Sequence, residues 1–321
     1  MGYRQVRVIS GRGTEPGQFA ESLRGIAVDG KDLLYAVGDR EVKVFDRQGG
    51  LRQRWTTAKP GYCVAAYADQ ALAQGTAVYV GEESQVEQFD GAGKLVATLR
   101  DDRLGVVTAI GLLGVHPRTA ESHRRDAGAT GVLGGTLNQD LLMADATQRC
   151  LCCYDRQGKW LNDIGKDNNT RGFLIPNGHL DFSVDAAGVV RVANPGKHRV
   201  ERYSLTGELL GHFGKFGMQR PEDFPGCCNP TNLALTQQGD VVVTEKAPPR
   251  MKRYDADGKL LALVGPEAFD PNCKNMDVAV DLHGQVYVAD TVRLHICVFA
   301  PEDGARAAAT GPAASAVEAK P

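Results

Sequence analysis

The sequence has no long apolar run, no excess of either charge and none of the common short catalytic motifs. No stretch approaches the roughly 20 consecutive apolar residues that cross a bilayer as a helix, so no membrane span is predicted. The 37 basic and 39 acidic residues nearly cancel, which argues against nucleic acid as a partner. A Gly-x-Ser-x-Gly elbow, a phosphate loop and a dinucleotide fingerprint are absent from any suitable context, which removes the commoner catalytic classes.

What the sequence does contain is a repeat. An apolar segment ends in an aromatic residue and is followed four residues later by glycine, a pattern typical of a strand and a tight turn. The 38 glycines and the scarcity of helical periodicity fit many short strands. The copies are Phe45 with Gly49, Phe89 with Gly93, Tyr154 with Gly158, Tyr203 with Gly207, Tyr254 with Gly258, and Phe299 with Gly304 one place late.

A second element opens the units. Residues 26–29, 182–185, 233–236 and 278–281 read IAVD, FSVD, LALT and VAVD, and a middle strand closes nine residues after each. Each unit therefore reads as four strands, and six units predict an all-β fold, a six-bladed β-propeller of four-stranded blades. Residues 5–9 form a strand without a unit of its own, and we expect this N-terminal strand to complete the last blade and hide its edge.

The predicted domain organisation follows from this repeat. Residues 1–303 form the propeller, with an insertion at residues 115–139 in the third blade, and residues 304–321 form an Ala/Gly/Pro-rich tail that is expected to be disordered. The insertion is either a partner contact or a mobile excursion.

Three motifs carry a resemblance to a known family. The segments GIAVD at residues 25–29, YVAD at residues 287–290 and VFDRQG at residues 44–49 resemble NHL repeats over residues 3 to 300. The segment GCCNP at residues 226–230 resembles a bacterial NHL subgroup, many of whose members are exported and have no assigned function. The resemblance implies an extracytoplasmic protein, periplasmic or secreted, if an export signal has been trimmed, and a cytoplasmic one otherwise.

Alternating strand direction predicts where a binding site would lie. The loops that enter the inner strands and the loops that leave the middle strands should emerge on one face, around one mouth of the central channel. Propeller loops on that face are expected to bind a protein, a peptide or a small ligand. The candidate ligand-binding residues there are Arg24, Asp181, Asn229, Asn232, Glu245, Lys246 and Asp277.

The cysteines of that face allow two interpretations. Cys228 and Cys273 lie at equivalent positions of neighbouring units, so a structural Cys228–Cys273 disulfide is one hypothesis. The other is a soft-metal site for copper, zinc or iron, whose ligands are Cys227, Cys228, Cys273 and His179. The remaining cysteines are predicted to be packing residues: Cys63, Cys150, Cys152, Cys153 and Cys297.

The first functional hypothesis is therefore a binding or interaction protein that uses its cysteine-bearing face and is not an enzyme. A metal-binding or redox role at the same mouth is the second. A hydrolase or lyase, as found among other six-bladed propellers, is the third. A polar residue at the end of a middle strand, such as Glu245, would have the competing role of capping a turn.

Overall fold

The computed structural model describes residues 2–113 and 139–302. In these residues, 24 strands form six antiparallel sheets of four strands each, arranged as the six blades of a propeller. The predicted fold class is confirmed. Residues 115–138 of the predicted insertion and the whole predicted tail at residues 304–321 lie outside the described residues.

The first three blades follow the chain from the innermost strand outward. Their strands are β2 (Gly25–Val28), β3 (Leu34–Gly38), β4 (Glu41–Phe45) and β5 (Leu51–Thr56); β6 (Cys63–Ala68), β7 (Thr76–Gly81), β8 (Gln85–Asp90) and β9 (Leu95–Arg100); and β10 (Val107–Leu112), β11 (Leu141–Asp145), β12 (Cys150–Tyr154) and β13 (Trp160–Ile164).

The last three blades repeat the pattern, except that the sixth takes its outer strand from the start of the chain. Their strands are β14 (Asp181–Val184), β15 (Val190–Asn194), β16 (Arg199–Tyr203) and β17 (Leu209–Phe213); β18 (Asn232–Leu235), β19 (Val241–Lys246), β20 (Pro249–Tyr254) and β21 (Leu260–Val264); and β22 (Val278–Val280), β23 (Val286–Asp290), β24 (His295–Pro301) and β1 (Tyr3–Ser10).

Strand β1 closes the ring. It pairs antiparallel with β24 from Tyr3 opposite Pro301 to Ser10 opposite His295, with one irregularity. The two ends of the propeller are thus held in one sheet, and the edge of β24 is covered. The prediction that the N-terminal strand completes the last blade is confirmed.

The recurring turn after each aromatic residue has a simple physical basis. The carboxylate of Asp46 accepts hydrogen bonds from the amides of Gln48 and Gly50, both at 2.8–2.9 Å. Gly49 adopts a positive φ of 90°, which glycine reaches without a Cβ clash. Asp155 makes the same pair of bonds to the amides of Gln157 and Lys159. The repeated aspartate and glycine are therefore turn-forming residues.

The core lies between blades. Strands β7, β8, β11 and β12 are buried at every position, whereas the outer strands β5 and β9 alternate or face solvent. Sheets packed face to face on both sides lose the alternation of polar and apolar residues that a half-exposed strand shows. No helix in the described part of the chain is long and apolar enough to cross a membrane.

Candidate functional site

The six innermost strands line a central channel of about 180 Å³. Small side chains dominate its wall, including Ala27, Ala65, Ala234 and Ala279. Because the inner strands stand closest to the propeller axis, residues at their first positions converge at one end of this channel.

Those first positions form what we call the entrance ring. Each member is the first residue of an inner strand, the residue immediately before it or, in the third blade, the second residue of the strand; they are Gly25, Cys63, Thr108, Asp181, Asn232 and Asp277.

Hydrogen bonds of the entrance ring join neighbouring blades. Thr108 Oγ1 donates to the carbonyl of Leu180 at 2.7 Å, and Asp181 Oδ2 accepts from the amide of Leu233 at 2.7 Å. Asn232 Nδ2 donates to Asp277 Oδ1 at 3.4 Å.

The remaining blades are joined in the same way. Asp277 Oδ2 accepts from the amide of Ile26 at 2.6 Å, and Cys63 Sγ donates to the carbonyl of Val107 at 3.5 Å. At Gly25 a Cβ would lie 2.8 Å from Cys63 Cα, so only glycine fits there. The ring residues therefore bind blade to blade around the channel.

Burial shifts the pKa values of the ionisable groups at this entrance. It raises the pKa of Asp277 to about 6 and that of Asp181 well above its ordinary value, because neither carboxylate can be solvated. It lowers the pKa of His179 to about 4 for the same reason. The imidazole is therefore neutral at physiological pH.

Above the ring lies a cavity of about 400 Å³, which we call the mouth. Its lining is Tyr62, Val106, Thr108, Ala146, Thr147, Asn177, Gly178, His179 and Asn275. His179 Nε2 is 2.8 Å from Asn232 Nδ2, and His179 Nδ1 is 3.5 Å from Asn275 Nδ2. Histidine thus connects the entrance ring to the mouth.

Several buried polar atoms at the mouth have no hydrogen-bond partner within residues 2–113 and 139–302. They are both amide atoms of Asn177, together with Oδ1 of Asn275 and Oδ1 of Asn232. Buried amide groups without partners are uncommon, because each costs the free energy of its lost hydration. Such atoms are available to a ligand.

One of the predicted residues, Arg24, extends this surface. The Arg24 guanidinium lies over the Tyr62 ring, 4.7 Å from its centroid, in a cation–π contact. Tyr62 itself lines the mouth, so Arg24 supports one wall.

Cys227 and Cys228 form a separate feature, the dithiol. Their sulfur atoms are 3.1 Å apart, Cys227 is exposed, and Cys228 is buried. The hydrogen bond from Cys228, followed by the charges of Lys246 and Lys274, lowers the pKa of Cys227. Burial, followed by the contact with Cys227, raises the pKa of Cys228. The exposed thiol is thus the more easily ionised of the two.

The structure corrects the predicted arrangement of Cys228 and Cys273. None of the eight cysteines is bonded to another, and Cys273 Sγ contacts Thr291 Oγ1 at 3.3 Å. Thr291 directly follows the middle strand of the sixth blade, and Lys246, which contacts Cys228, is the last residue of the middle strand of the fifth. Each cysteine therefore turns towards its own blade, although the two positions are equivalent.

The predicted four-ligand metal set is also not gathered. In the described residues one group of His, Cys, Asp and Glu has three ligand atoms within 4.8 Å of one another, and it is Cys150, Cys152 and Asp163. His179 contacts asparagines instead, and Cys273 is packed in the core of the sixth blade.

Two other predicted ligand-binding residues, Asn229 and Glu245, form hydrogen bonds or ion pairs within the fifth blade. Asn229 is fully buried, where its Oδ1 accepts from the Lys246 amide at 2.8 Å and its Nδ2 donates to the Pro225 carbonyl at 2.7 Å. Glu245 is buried between Lys252, at 2.6 Å, and Arg250, at 2.5 Å. The suggested turn-capping role of Glu245 is wrong, because its carboxylate holds two cations.

Sequence reasoning missed Tyr62, Thr108 and Asn177. The second and third blades lack the IAVD-like signature, so the register of their inner strands could not be read directly. The segment between the inner strand and the aromatic is also longer in these two blades than in the others, so counting back from Phe89 or Tyr154 would not have reached Cys63 or Thr108.

Comparison with protein-family models finds no match, and neither does comparison with curated proteins. Solved structures do match. The WD40 β-propeller domain of Doa1 is 14% identical, with 87% of this chain and 79% of that chain covered and a TM-score of 0.56. A protein of unknown function from Bacteroides thetaiotaomicron VPI-5482 is 12% identical, with 93% and 75% covered and a TM-score of 0.60. The likeness is one of fold.

A streptogramin B lyase structure belongs to the same set of similar folds. It is 9% identical, with 87% of this chain and 93% of that chain covered and a TM-score of 0.53. At such identities the shared propeller carries no information about a reaction, because one architecture supports many functions.

Proposed function

We propose that the protein is a binding or interaction protein, which holds a polar small molecule or a peptide segment of another protein at its mouth. The observation that carries this proposal is the set of buried, unpartnered amide atoms of Asn177 and Asn275 beside the neutral His179. A rigid ring of blades presents these groups on one face, as binding proteins built on this architecture do.

The chemistry of the mouth favours a neutral polar ligand. His179 Nε2 accepts from Asn232 Nδ2 at 2.8 Å, so the ring proton belongs on Nδ1. Asn275 Nδ2, 3.5 Å from Nδ1, is itself a donor, so with this tautomer the Nδ1 proton is left for an acceptor on a ligand. Asn177 offers both a donor and an acceptor. No lysine, arginine, aspartate or glutamate lines the described mouth, so amide and hydroxyl groups are the expected partners.

The NHL assignment belongs to the same proposal. It is supported by the register of the motifs, since the aspartates of the GIAVD and VFDRQG segments both form turns in the structure. Asp29 accepts from the amides of Lys31 and Leu33, as Asp46 does from Gln48 and Gly50.

Cys227 gives a direct test, because it is the one exposed cysteine among the eight. An environment-sensitive fluorophore attached to it would report binding of peptides and neutral polar compounds at this face. Substituting Asn177→Leu or His179→Gln should weaken every genuine hit. Tyr67→Phe, at the opposite end of the channel, is the matched control and should leave binding unchanged. Compounds that bind the Asn177→Leu and His179→Gln variants as tightly as the unsubstituted protein would contradict the proposal.

The second candidate function is a metal-binding or redox role of the dithiol. The observation that favours it is the 3.1 Å separation of the two sulfurs, with the exposed Cys227 beside two lysines. Thiol titration of the native protein, with metal analysis of preparations made without a metal-affinity tag, tests it. If both cysteines are found as free thiols and no metal is bound, the second candidate function is contradicted and the mouth is left as the functional surface.

A further inference from the structure

In most blades, two positions of the third strand hold polar side chains that take part in hydrogen bonds or ion pairs. These positions lie four and two residues before the aromatic that ends the strand. In three blades the two residues contact each other. In the fifth blade both contact a glutamate of the neighbouring middle strand. The pairs are Glu41 with Lys43, Arg199 with Glu201, Arg250 and Lys252 with Glu245, and His295 with Cys297.

In the third blade these positions hold Cys150 and Cys152. Their sulfur atoms are 3.7 Å apart and both side chains are buried. The equivalent residues of the second and fourth blades are Gln85, Glu87, Arg199 and Glu201, whereas Cys150 and Cys152 pack beside apolar side chains of the second and third blades. In the third blade, a close pair of thiols thus replaces the polar side chains that are usual at these two positions.

A third ligand atom completes the group. Asp163 on β13 lies directly opposite Cys152, and its carboxylate and the two sulfurs lie within 4.8 Å of one another. In a tetrahedral site with metal–sulfur bonds of about 2.3 Å, two thiolates lie about 3.8 Å apart. The observed sulfur separation already has this value, so little movement of the thiols is needed.

We infer that Cys150, Cys152 and Asp163 form a binding site for a divalent cation of the zinc class, with a fourth position open to water. Two thiolates and one carboxylate suit zinc or cadmium.

The surroundings complement such an ion. Lys166 Nζ contacts Asp163 Oδ2 at 2.8 Å, and Trp160 Nε1 donates to Asp163 Oδ1 at 2.9 Å. Two thiolates and one carboxylate carry three negative charges, and a divalent cation carries two positive ones. The remaining negative charge is balanced by the ammonium group of Lys166. Partners of this kind orient a metal-bound carboxylate. The half-buried carboxylate is also the side from which an ion could enter.

Cadmium titration of the reduced full-length protein is the test, read out by the sulfur-to-metal charge-transfer absorption. The dithiol is a competing site, so the reference protein is the Cys227→Ser/Cys228→Ser variant, which should bind one cadmium ion per chain. Adding Cys150→Ser and Cys152→Ser should remove that binding. Asp163→Asn in the same reference should weaken it at least about tenfold, and this partly exposed position keeps the test valid if the double serine variant fails to fold.

Tryptophan fluorescence gives an independent readout. With Trp55→Phe in the reference protein, Trp160 is the one remaining tryptophan of the two. Its emission should change and saturate at one equivalent of cadmium, because its indole nitrogen bonds to the metal-binding carboxylate. A reference protein that binds no cadmium, or an Asp163→Asn variant that binds as tightly as the reference, would overturn the inference.

Discussion

Replacing His179 by glutamine should change how the stability of the protein depends on pH. His179 is buried at the floor of the mouth, and burial lowers its pKa from an ordinary 6.5 to about 4. Between these two values the unfolded chain binds a proton that the folded chain does not, so wild-type stability falls as the pH falls. The stabilising contribution of the neutral ring is complete above pH 6.5 and is lost as the pH falls towards 4.

The magnitude follows from the two pKa values. With about 4 in the folded chain and 6.5 in the unfolded chain, the loss is about 2 kcal/mol at pH 5 and about 3 kcal/mol at pH 4. Glutamine does not titrate, so His179→Gln removes this loss. At pH 7 the variant should be less stable than wild type by about 1 kcal/mol, because the bond to Asn232 is disturbed.

Urea unfolding at several pH values between 7.5 and 4 measures both effects. The difference in unfolding free energy between variant and wild type should shift in favour of the variant by about 2 kcal/mol between pH 7 and pH 5. The matched control is His212→Gln at an exposed position of β17, which should follow wild type throughout. Parallel pH profiles for His179→Gln and wild type would show that the folded ring is not held neutral.

Three other predictions concern the fifth blade, the dithiol and ring closure. Substituting Lys252→Met removes a fully buried cation from Glu245 and should cost about 3 kcal/mol in urea unfolding, whereas Arg52→Met, in an exposed ion pair, should cost less than about 1 kcal/mol. Ellman's reagent should react rapidly with one thiol of the native chain, and Cys227→Ser should abolish that fast phase; several fast thiols would contradict the burial of the others. Deleting residues 2–10 should lower the midpoint of unfolding and promote association, as seen by light scattering, because it exposes the edge of β24.

The blade repeat was readable from the sequence because its turns are local. Asp46 and Gly49 lie within one turn and hold it by bonds to residues two and four places away. Any copy of that short pattern folds in the same way, so spacing alone predicts the strand order. The closing strand was predictable for a related reason, since an unpaired N-terminal strand and a three-stranded last unit fit each other.

The site was only partly readable. His179, Asp181, Asn232 and Asp277 were predicted at the channel entrance and all lie there. The repeat placed Cys228 and Cys273 at equivalent positions and left a disulfide between them as one of two hypotheses, but no disulfide joins them in the structure. Equivalent register fixes where a residue lies along its blade and says nothing about the direction of its side chain.

The sequence by itself determined the six-bladed architecture, its turns and the face on which the polar loops gather. The tertiary structure alone decided which side chains meet across blades: the bond from Asp277 to Ile26, the contact of Arg24 with Tyr62, and the approach of Asp163 to Cys150 and Cys152. Strands and turns depend on residues that are close together in the chain, so short sequence patterns predict them. Contacts between blades depend on rotamers, burial and the packing of segments far apart in sequence, and no local pattern records them.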